Sequence, residues 1–172
     1  MNIIAFTGAG ISAQSGIPTF ASNPSIRDKL TRTYATNHEL DYNRFIRKWS
    51  DVVSDVNPNA AHLALKDILV ITMNVDGLHE RCGGEVIPIH GRLPNIVLYG
   101  DNAPNYDEAI RAILAGPVGI LLDVGVSGYT DISHELIGLA QDLGYQIIII
   151  NEDAETNVPE FINNISRWFS MS

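Results

Sequence analysis

The chain has 172 residues, of which 45% are apolar, and its 11 Lys and Arg against 20 Asp and Glu give a net charge of −9. This length allows one sizeable hydrophobic core. The acidic balance argues against a nucleic-acid partner, because phosphate binding requires clustered basic residues. The apolar runs, such as Ile147–Ile150, are too short to span a bilayer, and the start lacks a signal-peptide pattern. We therefore expect a soluble, cytoplasmic protein without a membrane partner.

Short apolar runs rich in Ile and Val alternate with helical patterns along the chain. Several runs lack polar alternation, which is typical of strands that are covered on both faces in a parallel sheet. The predicted strands are Asn2–Phe6, Ile68–Thr72, Val86–Ile89, Ile96–Tyr99, Val118–Val124 and Gln146–Ile150. The predicted helices are at about 59–66, 76–82, 105–115, 131–143 and 158–169. The alternation predicts an α/β fold: a Rossmann-like parallel sheet of about six strands flanked by helices, with ligands at the carboxyl ends of the strands.

Residues 21–57 interrupt this alternation. They contain no convincing strand, but they have a turn-prone start at Ala21–Pro24 and a helical pattern near His38–Trp49. We interpret them as a helical insertion after the first strand. Because there is no internal repeat, low-complexity tract or linker, the chain is predicted to form a single domain over residues 1–172.

A glycine-rich turn follows the first strand directly. Gly8 and Gly10 would let the backbone approach a pyrophosphate closely, although two nearby glycines also make an ordinary tight turn. The dehydrogenase fingerprint does not fit, because it needs a second strand that ends in an acidic residue about twenty positions later, and Asp28 ends no strand. A P-loop is also excluded, since no Gly-Lys-Ser/Thr follows.

The wider motif around these glycines is far more specific than the glycine pair. It reads Gly8-Ala9-Gly10-Ile11-Ser12-x-x-Ser15-Gly16-Ile17-Pro18-x-Phe20 and closely resembles the first signature of the sirtuins, the NAD⁺-dependent protein deacylases. The resemblance implies that the loop wraps the pyrophosphate of NAD⁺ and that the aromatic residue shields the nicotinamide ribose. It assigns six residues to cofactor binding: Gly8, Ala9, Gly10, Ser12, Ile17 and Phe20.

Polar side chains also follow the second strand. Asn74 suits ribose hydroxyls, and Asp76 suits a carboxamide or a developing positive charge, but by residue type both suit capping of the next helix equally well. The segment Thr72–His79 resembles the sirtuin signature with Asn, Asp and His at these spacings. The resemblance implies that Asn74 binds ribose and that Asp76 recognises the nicotinamide amide, with Met73 and Val75 beside them in the cofactor pocket.

His90 follows the third strand and precedes Gly91. A histidine titrates near neutral pH and can act as a base, although its position alone favours a structural role. The pair resembles the sirtuin His-Gly motif, which implies that His90 is the general base that activates a ribose hydroxyl. We interpret His62 as structural, because it lies in a segment that resembles the family's Pro-Asn-x-x-His-x-Ala-Leu helix. We interpret His79 as structural too, since it follows the loop of Asn74 and Asp76 and would help to fix it.

Three later segments extend the resemblance. Residues 94–104 resemble the strand and loop on which sirtuins bind an acyl-lysine peptide as an added strand. This assigns three residues to the protein or peptide substrate: Val97, Tyr99 and Gly100. Gly125-Val126-Ser127 stands where sirtuins carry Gly-Thr-Ser, and Ile150-Asn151 resembles the family's Ile-Asn pair at the adenosine ribose. The residues implied at the adenosine half of NAD⁺ are Gly125, Val126, Ser127 and Asn151.

The zinc ribbon of the family is missing from this chain. Sirtuins carry its paired Cys-x-x-Cys motifs after the His-Gly motif, but here only Arg92 and Leu93 join Gly91 to Pro94. Cys82 is the single cysteine, so no Cys-rich zinc site can form within one chain. We predict that the protein binds no zinc or other metal.

Further departures lie around the cofactor motifs. Thr19 and Ala21 replace an Asp and an Arg of the family, and Met73 replaces a Gln. The leading hypothesis is an NAD⁺-dependent protein-lysine deacylase of minimal sirtuin form, with His90, Asn74 and Asp76 as its catalytic residues. The missing ribbon favours an NAD⁺ glycohydrolase as the alternative. The three replacements favour a non-catalytic NAD⁺ or ADP-ribose binding module.

Overall fold

Five parallel strands form the central sheet. The computed structural model describes residues 2–19, 23–127 and 130–170. The strands are β1 (Ile3–Thr7), β2 (Leu69–Thr72), β3 (Val86–Pro88), β6 (Ile120–Val124) and β7 (Gln146–Ile150), in the spatial order β3-β2-β1-β6-β7. Thr7 is in register with Thr72 on one side and with Val124 on the other. The carboxyl ends of the strands therefore meet at one rim, and the predicted α/β, Rossmann-like fold is confirmed.

One predicted strand, Ile96–Tyr99, does not join the sheet. Instead, β4 (Gly91–Arg92) and β5 (Asn95–Ile96) form a separate antiparallel pair. Only two residues separate β4 from β5, whereas a parallel neighbour requires a crossover of a dozen or more residues. The central sheet consequently has five strands, and the prediction of about six was wrong in this element.

Six helices cover the two faces of the sheet and its rim. These are α1 (Ala9–Ala13), α5 (Ala60–Ala64), α6 (Leu78–Arg81), α7 (Tyr106–Ala115), α8 (Asp131–Asp142) and α9 (Ala154–Ser170). Helix α9 begins four residues before the predicted start and contains Pro159. Ala154 and Val158 are buried in the core, and this burial offsets the backbone hydrogen bond that the proline cannot donate.

Alternate residues of each strand enter two different hydrophobic cores. Phe6 and Leu121 face one side of the sheet and pack with residues of α7 and α8. Ala5 and Leu122 face the other side and pack with residues of α1, α5 and α9. The two-residue periodicity of a strand, covered on both faces, explains why these segments are almost wholly apolar.

The predicted helical insertion is present in the described residues 23–57. It comprises α2 (Pro24–Lys29), α3 (Arg32–Asn37) and α4 (Glu39–Ser54), while Ala21 and Ser22 lie outside the described residues. Its buried side chains Ile26, Leu30 and Ile46 pack against Leu93 and Ile96 of the β4–β5 hairpin. The insertion is thus seated on the segment that follows His90.

The end of the insertion is also held by a cation. The Arg81 guanidinium, on α6, donates hydrogen bonds to the carbonyl oxygens of Val53, Ser54 and Val56 at 3.0, 3.2 and 2.7 Å. These carbonyls lie at the carboxyl end of α4, where a positive charge is favoured.

Within the described part of the chain, no helix combines the length and the apolarity that crossing a bilayer demands.

A close contact between glycines shapes the rim of the sheet. Gly125 has φ +65°, and a Cβ on it would lie 2.6 Å from the Cα of Gly10. A Cβ on Gly8 would lie 2.6 Å from the carbonyl oxygen of Gly125. Side chains at these positions would therefore force the two turns apart.

We expect Gly125→Ala to lower the free energy of unfolding by more than about 2 kcal/mol, because it adds both backbone strain and a clash with Gly10. Gly138→Ala is the matched control, because a Cβ at this position in α8 meets no atom within 4 Å. It should be neutral or stabilise by up to about 1 kcal/mol. Urea denaturation measures both changes, and equal effects of the two substitutions would contradict the glycine contact.

Candidate functional site

Every segment assigned to the cofactor leaves the sheet at the same rim. The glycine turn follows β1, Asn74 and Asp76 follow β2, and His90 comes two residues after β3. The turn of residues 125–127 follows β6, and Asn151 follows β7. In open parallel sheets this rim is where ligands bind. The structure therefore brings the predicted site residues to one edge, apart from Phe20, which lies outside the described residues.

The buried Ser12 hydroxyl connects the polar residues of this rim. Ser12 Oγ donates to Asp76 Oδ2 at 2.7 Å and accepts a hydrogen bond from Asn74 Nδ2 at 3.2 Å. His62 Nε2 lies 3.3 Å from the same oxygen. Since Ser12 is only 1% exposed, its side chain is directed at protein groups. Its role in the structure is to orient Asn74 and Asp76, and its contact with a cofactor stays a prediction.

His62 anchors the start of α5 beneath Ser12, as the sequence predicts. Asn59 Oδ1 accepts hydrogen bonds from the N–H groups of Ala61 and His62, and Asn59 Nδ2 donates to the carbonyl of Ile11. The His62 ring is buried, and burial together with the charge of Arg81 lowers its pKa to about 4. The imidazole is therefore neutral at pH 7 and holds α5 against α1.

His79 is the second structural histidine. Its Nε2 lies 3.0 Å from Thr7 Oγ1, which donates to Thr72 Oγ1 at 2.8 Å. Thr72 Oγ1 in turn accepts the N–H of Asn74 at 3.1 Å. Burial, followed by the proximity of His62, lowers the pKa of His79 to about 3. This neutral, hydrogen-bonded chain fixes the loop that carries Asn74.

Asn74 and Asp76 differ in how their polar atoms are used. Asn74 Nδ2 donates to the carbonyl of Gly8 at 3.0 Å as well as to Ser12, and its Oδ1 has no partner among the described residues. Asp76 Oδ1 accepts the N–H of Leu78 at 2.9 Å, so Asp76 caps α6. The capping role weighed from the sequence is thus present for Asp76, but Asn74 instead bridges two turns of the rim.

The carboxylate of Asp76 lies in a partly buried setting beside a cavity. Burial raises its pKa, and the hydrogen bonds from Leu78 and Ser12 and the charge of Arg81 oppose this rise. A cavity of about 290 Å³ lies between α4 and the Asp76–Gly77 turn; its lining is Ser50, Val53, Ser54, Asp76, Gly77, Arg81 and Leu93. The carboxylate therefore borders open space on the side of the helical insertion.

His90 is held by its backbone, while its ring is left available. Its carbonyl accepts the N–H of Val97, and the flanking Ile89 and Leu93 donate to the carbonyls of Thr72 and Val75. No hydrogen bond joins its imidazole to any described group, and the residue is only partly buried. Burial lowers the pKa of His90 below its usual value. The ring is therefore a neutral base at pH 7, next to the segment that carries Asn74.

The glycine turn presents few free backbone donors. The N–H groups of Gly8 and Gly10 donate to the carbonyls of Val124 and Gly125, each at 3.0 Å. The N–H of Ala9, the first residue of α1, has no acceptor within the described ranges. The two glycines are required for packing against Gly125. The N–H of Ala9 is a donor from which a phosphate oxygen would accept a hydrogen bond.

The remaining cofactor assignments fall into two groups. Ile17 and Val126 are buried in hydrophobic clusters, and Met73 packs against the cluster that contains Val126. Ser127 is exposed, and Asn151 Oδ1 accepts the N–H of Gly125 at 3.1 Å. Only the second group presents polar atoms at the rim.

The segment assigned to a peptide substrate runs beside the helical insertion. The N–H groups of Val97 and Tyr99 donate to the carbonyls of His90 and Leu30 at 2.9 and 2.8 Å. The N–H of Leu98, which points the other way along an extended chain, has no acceptor in the part of the chain that the structure describes. One backbone donor thus stays available at this edge. Tyr99 and Gly100 are exposed.

Asp123 is a polar residue of the rim that the sequence motifs did not indicate. It is the single charged residue in β6 and only 5% exposed, and one carboxylate oxygen, Oδ1, has no hydrogen-bond partner among the described residues. Burial raises the pKa of Asp123 to about 6, although the N–H of Val126 favours the ionised form. A charged residue inside a buried apolar strand was the available signal.

Metal ligands do not gather in the described residues. Residues 2–19, 23–127 and 130–170 contain no group of three His, Cys, Asp or Glu side chains positioned to hold an ion. Cys82 is partly buried, and its thiol donates to the carbonyl of Leu78. The prediction that zinc is absent stays a prediction.

Comparisons with known proteins identify the family. The model of the Sir2 family matches residues 8–95. An NAD-dependent protein deacylase of Ralstonia nicotianae is 30% identical over 204 residues, which cover 88% of this chain and 80% of that protein. A mutant Sir2 homologue in complex with ADP-ribose has a TM-score of 0.89 at 22% identity, covering 99% of this chain and 94% of that one.

A second solved structure contains a peptide. Sir2 in complex with an inhibitor, 2′-O-acetyl-ADP-ribose and a deacetylated p53 peptide has a TM-score of 0.79 at 24% identity, covering 99% of this chain and 95% of that one. These likenesses show the same fold. Together with the family model and the deacylase relative, they lead to one conclusion: the chain belongs to the Sir2 family.

Proposed function

We propose that this protein is an NAD⁺-dependent protein-lysine deacylase, formed by residues 1–172 as one domain without a zinc module. The observation that carries the proposal is the convergence of His90, Asn74 and Asp76 on the rim beside the glycine turn. The family match and the deacylase name of the Ralstonia nicotianae relative support the same chemistry.

The residues of the rim fit a dinucleotide in four respects. The N–H of Ala9 has no acceptor among the described residues and would donate to a phosphate oxygen, and Ser127 and Asn151 present polar groups at the adenosine end. Asn74 Oδ1, also without a described partner, would accept a hydrogen bond from a ribose hydroxyl. The cavity beside Asp76 leaves space for the nicotinamide amide. When bound, NAD⁺ supplies a ribose carbon that becomes electrophilic as nicotinamide departs.

Asp76 and Asn74 would stabilise the positive charge that develops on the ribose, because hydrogen bonds hold both side chains in place. Positive charge develops on the ribose as the glycosidic bond breaks, and a carboxylate held nearby favours it. Both oxygens of Asp76 are already fixed by Leu78 and Ser12, so little reorganisation is needed during the reaction. Asn74 is fixed in the same way by Gly8 and Ser12.

His90 acts as the general base on a ribose hydroxyl. A base must be unprotonated to take the proton, and burial lowers the pKa of His90, which keeps the imidazole neutral at pH 7. Its ring nitrogens are not engaged by described groups, so one of them can accept the hydroxyl proton. The acyl oxygen of the bound lysine would attack the ribose carbon that nicotinamide leaves, and the deprotonated ribose hydroxyl would then add to the acyl carbon. One water molecule would complete the release of the lysine amine, so that the products would be nicotinamide, free lysine and O-acyl-ADP-ribose.

An acyl-lysine peptide would bind along the segment of residues 97–100. The N–H of Leu98, which has no acceptor among the described residues, would donate to an added strand, and this segment follows His90 through the β4–β5 hairpin. Val97 and Tyr99 would flank the acyl-lysine side chain, and Gly100 would end the contact.

One observation favours an NAD⁺ glycohydrolase as the second candidate. The hairpin that follows His90 closes over two residues, Leu93 and Pro94, so the wall that it adds to the peptide edge is short. A shorter wall admits water to the ribose carbon, and water would then replace the acyl oxygen as the attacking group.

Release of nicotinamide from NAD⁺, followed by chromatography, distinguishes these activities. We expect release only when an acetyl-lysine or succinyl-lysine peptide is present, together with O-acyl-ADP-ribose as a product. Release at the same rate without peptide would instead establish the glycohydrolase. If there is no release but NAD⁺ still raises the melting temperature, the protein is a binding module and the proposed activity is wrong.

We expect His90→Ala to lower turnover by about 100-fold or more, because a general base contributes a factor of this size. The affinity for NAD⁺, measured by calorimetry, should change by less than about fivefold, since the backbone of residue 90 holds its place in the rim. His134→Ala is the control, because His134 is exposed on α8 and should change neither quantity. Equal losses of affinity and turnover in His90→Ala would show a structural role instead.

A further inference from the structure

The turn of residues 151–153, which joins β7 to α9, borders a second cavity at the end of the rim assigned to adenosine. This cavity has a volume of about 470 Å³, and its lining is Ile149, Ile150, Asn151, Glu152 and Asn157. Asn151 begins the turn and Asp153 ends it. The position of the turn therefore decides where the polar atoms of Asn151 and the wall of the cavity lie relative to the glycine turn.

Asp153 gives this turn an unfavourable backbone conformation. Its φ is +43°, in the left-handed region, and no other described residue except glycine has a positive φ. Such a conformation costs free energy in a residue with a side chain and persists where surrounding contacts hold it. Some of these contacts are local: the carbonyl of Asp153 accepts the N–H groups of Thr156 and Asn157, and the carbonyl of Glu152 accepts Asn157 Nδ2.

The side chain of Gln14 holds the same turn from a distant part of the sequence. Gln14 Nε2 donates to Asp153 Oδ1 at 2.9 Å, and Gln14 Oε1 accepts the N–H of Glu155 at 2.8 Å. The donor and the acceptor of one primary amide are thus both used on this turn and the first residues of α9. The hydrogen bond from Gln14 is also the main cause that lowers the pKa of Asp153, so the carboxylate is ionised at neutral pH.

Gln14 connects the two ends of the proposed dinucleotide site. It follows directly on α1, whose first residue, Ala9, carries the N–H assigned to a phosphate oxygen. The two positions are only about 8 Å apart along the helix axis. A second link to the turn comes from Asn151, whose Oδ1 accepts the N–H of Gly125 at 3.1 Å. Gln14 therefore sets the distance between the phosphate donor and the adenosine end.

We propose that Gln14 is a positioning residue of the cofactor site, which holds the turn of residues 151–153 in place for the adenosine half of the dinucleotide. This inference rests on the proposed function, because it needs adenosine in the cavity beside that turn. Gln14 takes no part in the chemical step, since its amide is engaged by Asp153 and Glu155.

Exchanging the donor and the acceptor of this contact tests the proposal. In Gln14→Glu the new carboxylate still accepts the N–H of Glu155, but it also faces the carboxylate of Asp153 and repels it. We expect the affinity for ADP-ribose, measured by calorimetry at neutral pH, to fall by about tenfold. In Gln14→Glu/Asp153→Asn the amide at position 153 donates to the carboxylate at position 14, and the net charge equals that of the unmodified protein. The affinity should then recover to within about twofold of the unmodified protein.

Gln141→Glu is the matched control, because it adds the same charge at an exposed position near the carboxyl end of α8. That end lies at the opposite edge of the sheet, since α8 runs back from the end of β6 to the start of β7. Its affinity for ADP-ribose should stay within about twofold of the unmodified protein. Equal affinities of Gln14→Glu and Gln141→Glu, or a double variant as weak as Gln14→Glu, would overturn the proposal.

The kinetics of nicotinamide release with an acetyl-lysine peptide separate positioning from chemistry. Gln14→Glu should raise the KM for NAD⁺ and change kcat by less than about twofold, because binding of the adenosine half is weakened while the reacting groups stay in place. A fall in kcat of the same size as the rise in KM would overturn the assignment of Gln14 to positioning.

A further measurement needs no ligand. Gln14→Ala removes the acceptor of the Glu155 amide, so hydrogen exchange of this amide, followed by NMR in the free protein, should become at least about fivefold faster. Unchanged exchange would overturn the contact on which the proposal depends. If the unmodified protein does not bind ADP-ribose, the proposed function fails and the role of Gln14 in cofactor binding fails with it. If it binds with an affinity that Gln14→Glu leaves unchanged, the positioning role alone is wrong.

Discussion

The hydroxyl of Ser12 is the interaction on which the site depends. A serine hydroxyl has one proton to donate and two lone pairs to accept with, and all three are used here, towards Asp76, Asn74 and His62. With its proton donated to Asp76, this oxygen is available as an acceptor to His62 Nε2, which lies 3.3 Å away. The loop that carries Asn74 and Asp76, helix α1 and helix α5 are therefore joined at one buried atom, in surroundings where an unpaired polar group would be costly.

The glycines of the first motif, Gly8 and Gly10, have a structural role in packing against a neighbouring turn. Gly8 and Gly10 let the first turn touch Gly125, and this contact brings the turns after β1 and β6 into van der Waals distance. The amide of Gly8 donates to the carbonyl of Val124, and the amide of Gly10 donates to the carbonyl of Gly125. The glycine pair therefore reflects how closely the two turns approach, and the amide of Ala9, between the glycines, has no acceptor among the described residues.

The sequence predicted which residues lie at the rim of the sheet better than it predicted their hydrogen-bond partners there. Asn74, Asp76 and His90 were expected at strand ends because parallel strands place their carboxyl ends together, and the structure agrees. Periodicity could not show that Ile96–Tyr99 would turn back as a hairpin, since an apolar run carries no information about its neighbour. Nor could it show that Ser12 faces inwards or that Asp123 lacks a partner, because both depend on contacts between residues far apart in the chain.

The guanidinium of Arg81 has a consequence for how the molecule opens. It donates hydrogen bonds to the last carbonyls of α4, and Arg81 lies five residues after Asp76. The helical insertion and the loop that carries Asp76 are therefore connected through one side chain. The end of α4 cannot fray without releasing the arginine, and a released arginine loosens the short helix that Asp76 caps. Local unfolding at the end of α4 is therefore coupled to the loop that carries Asp76, and we expect amides of the two segments to exchange with solvent together.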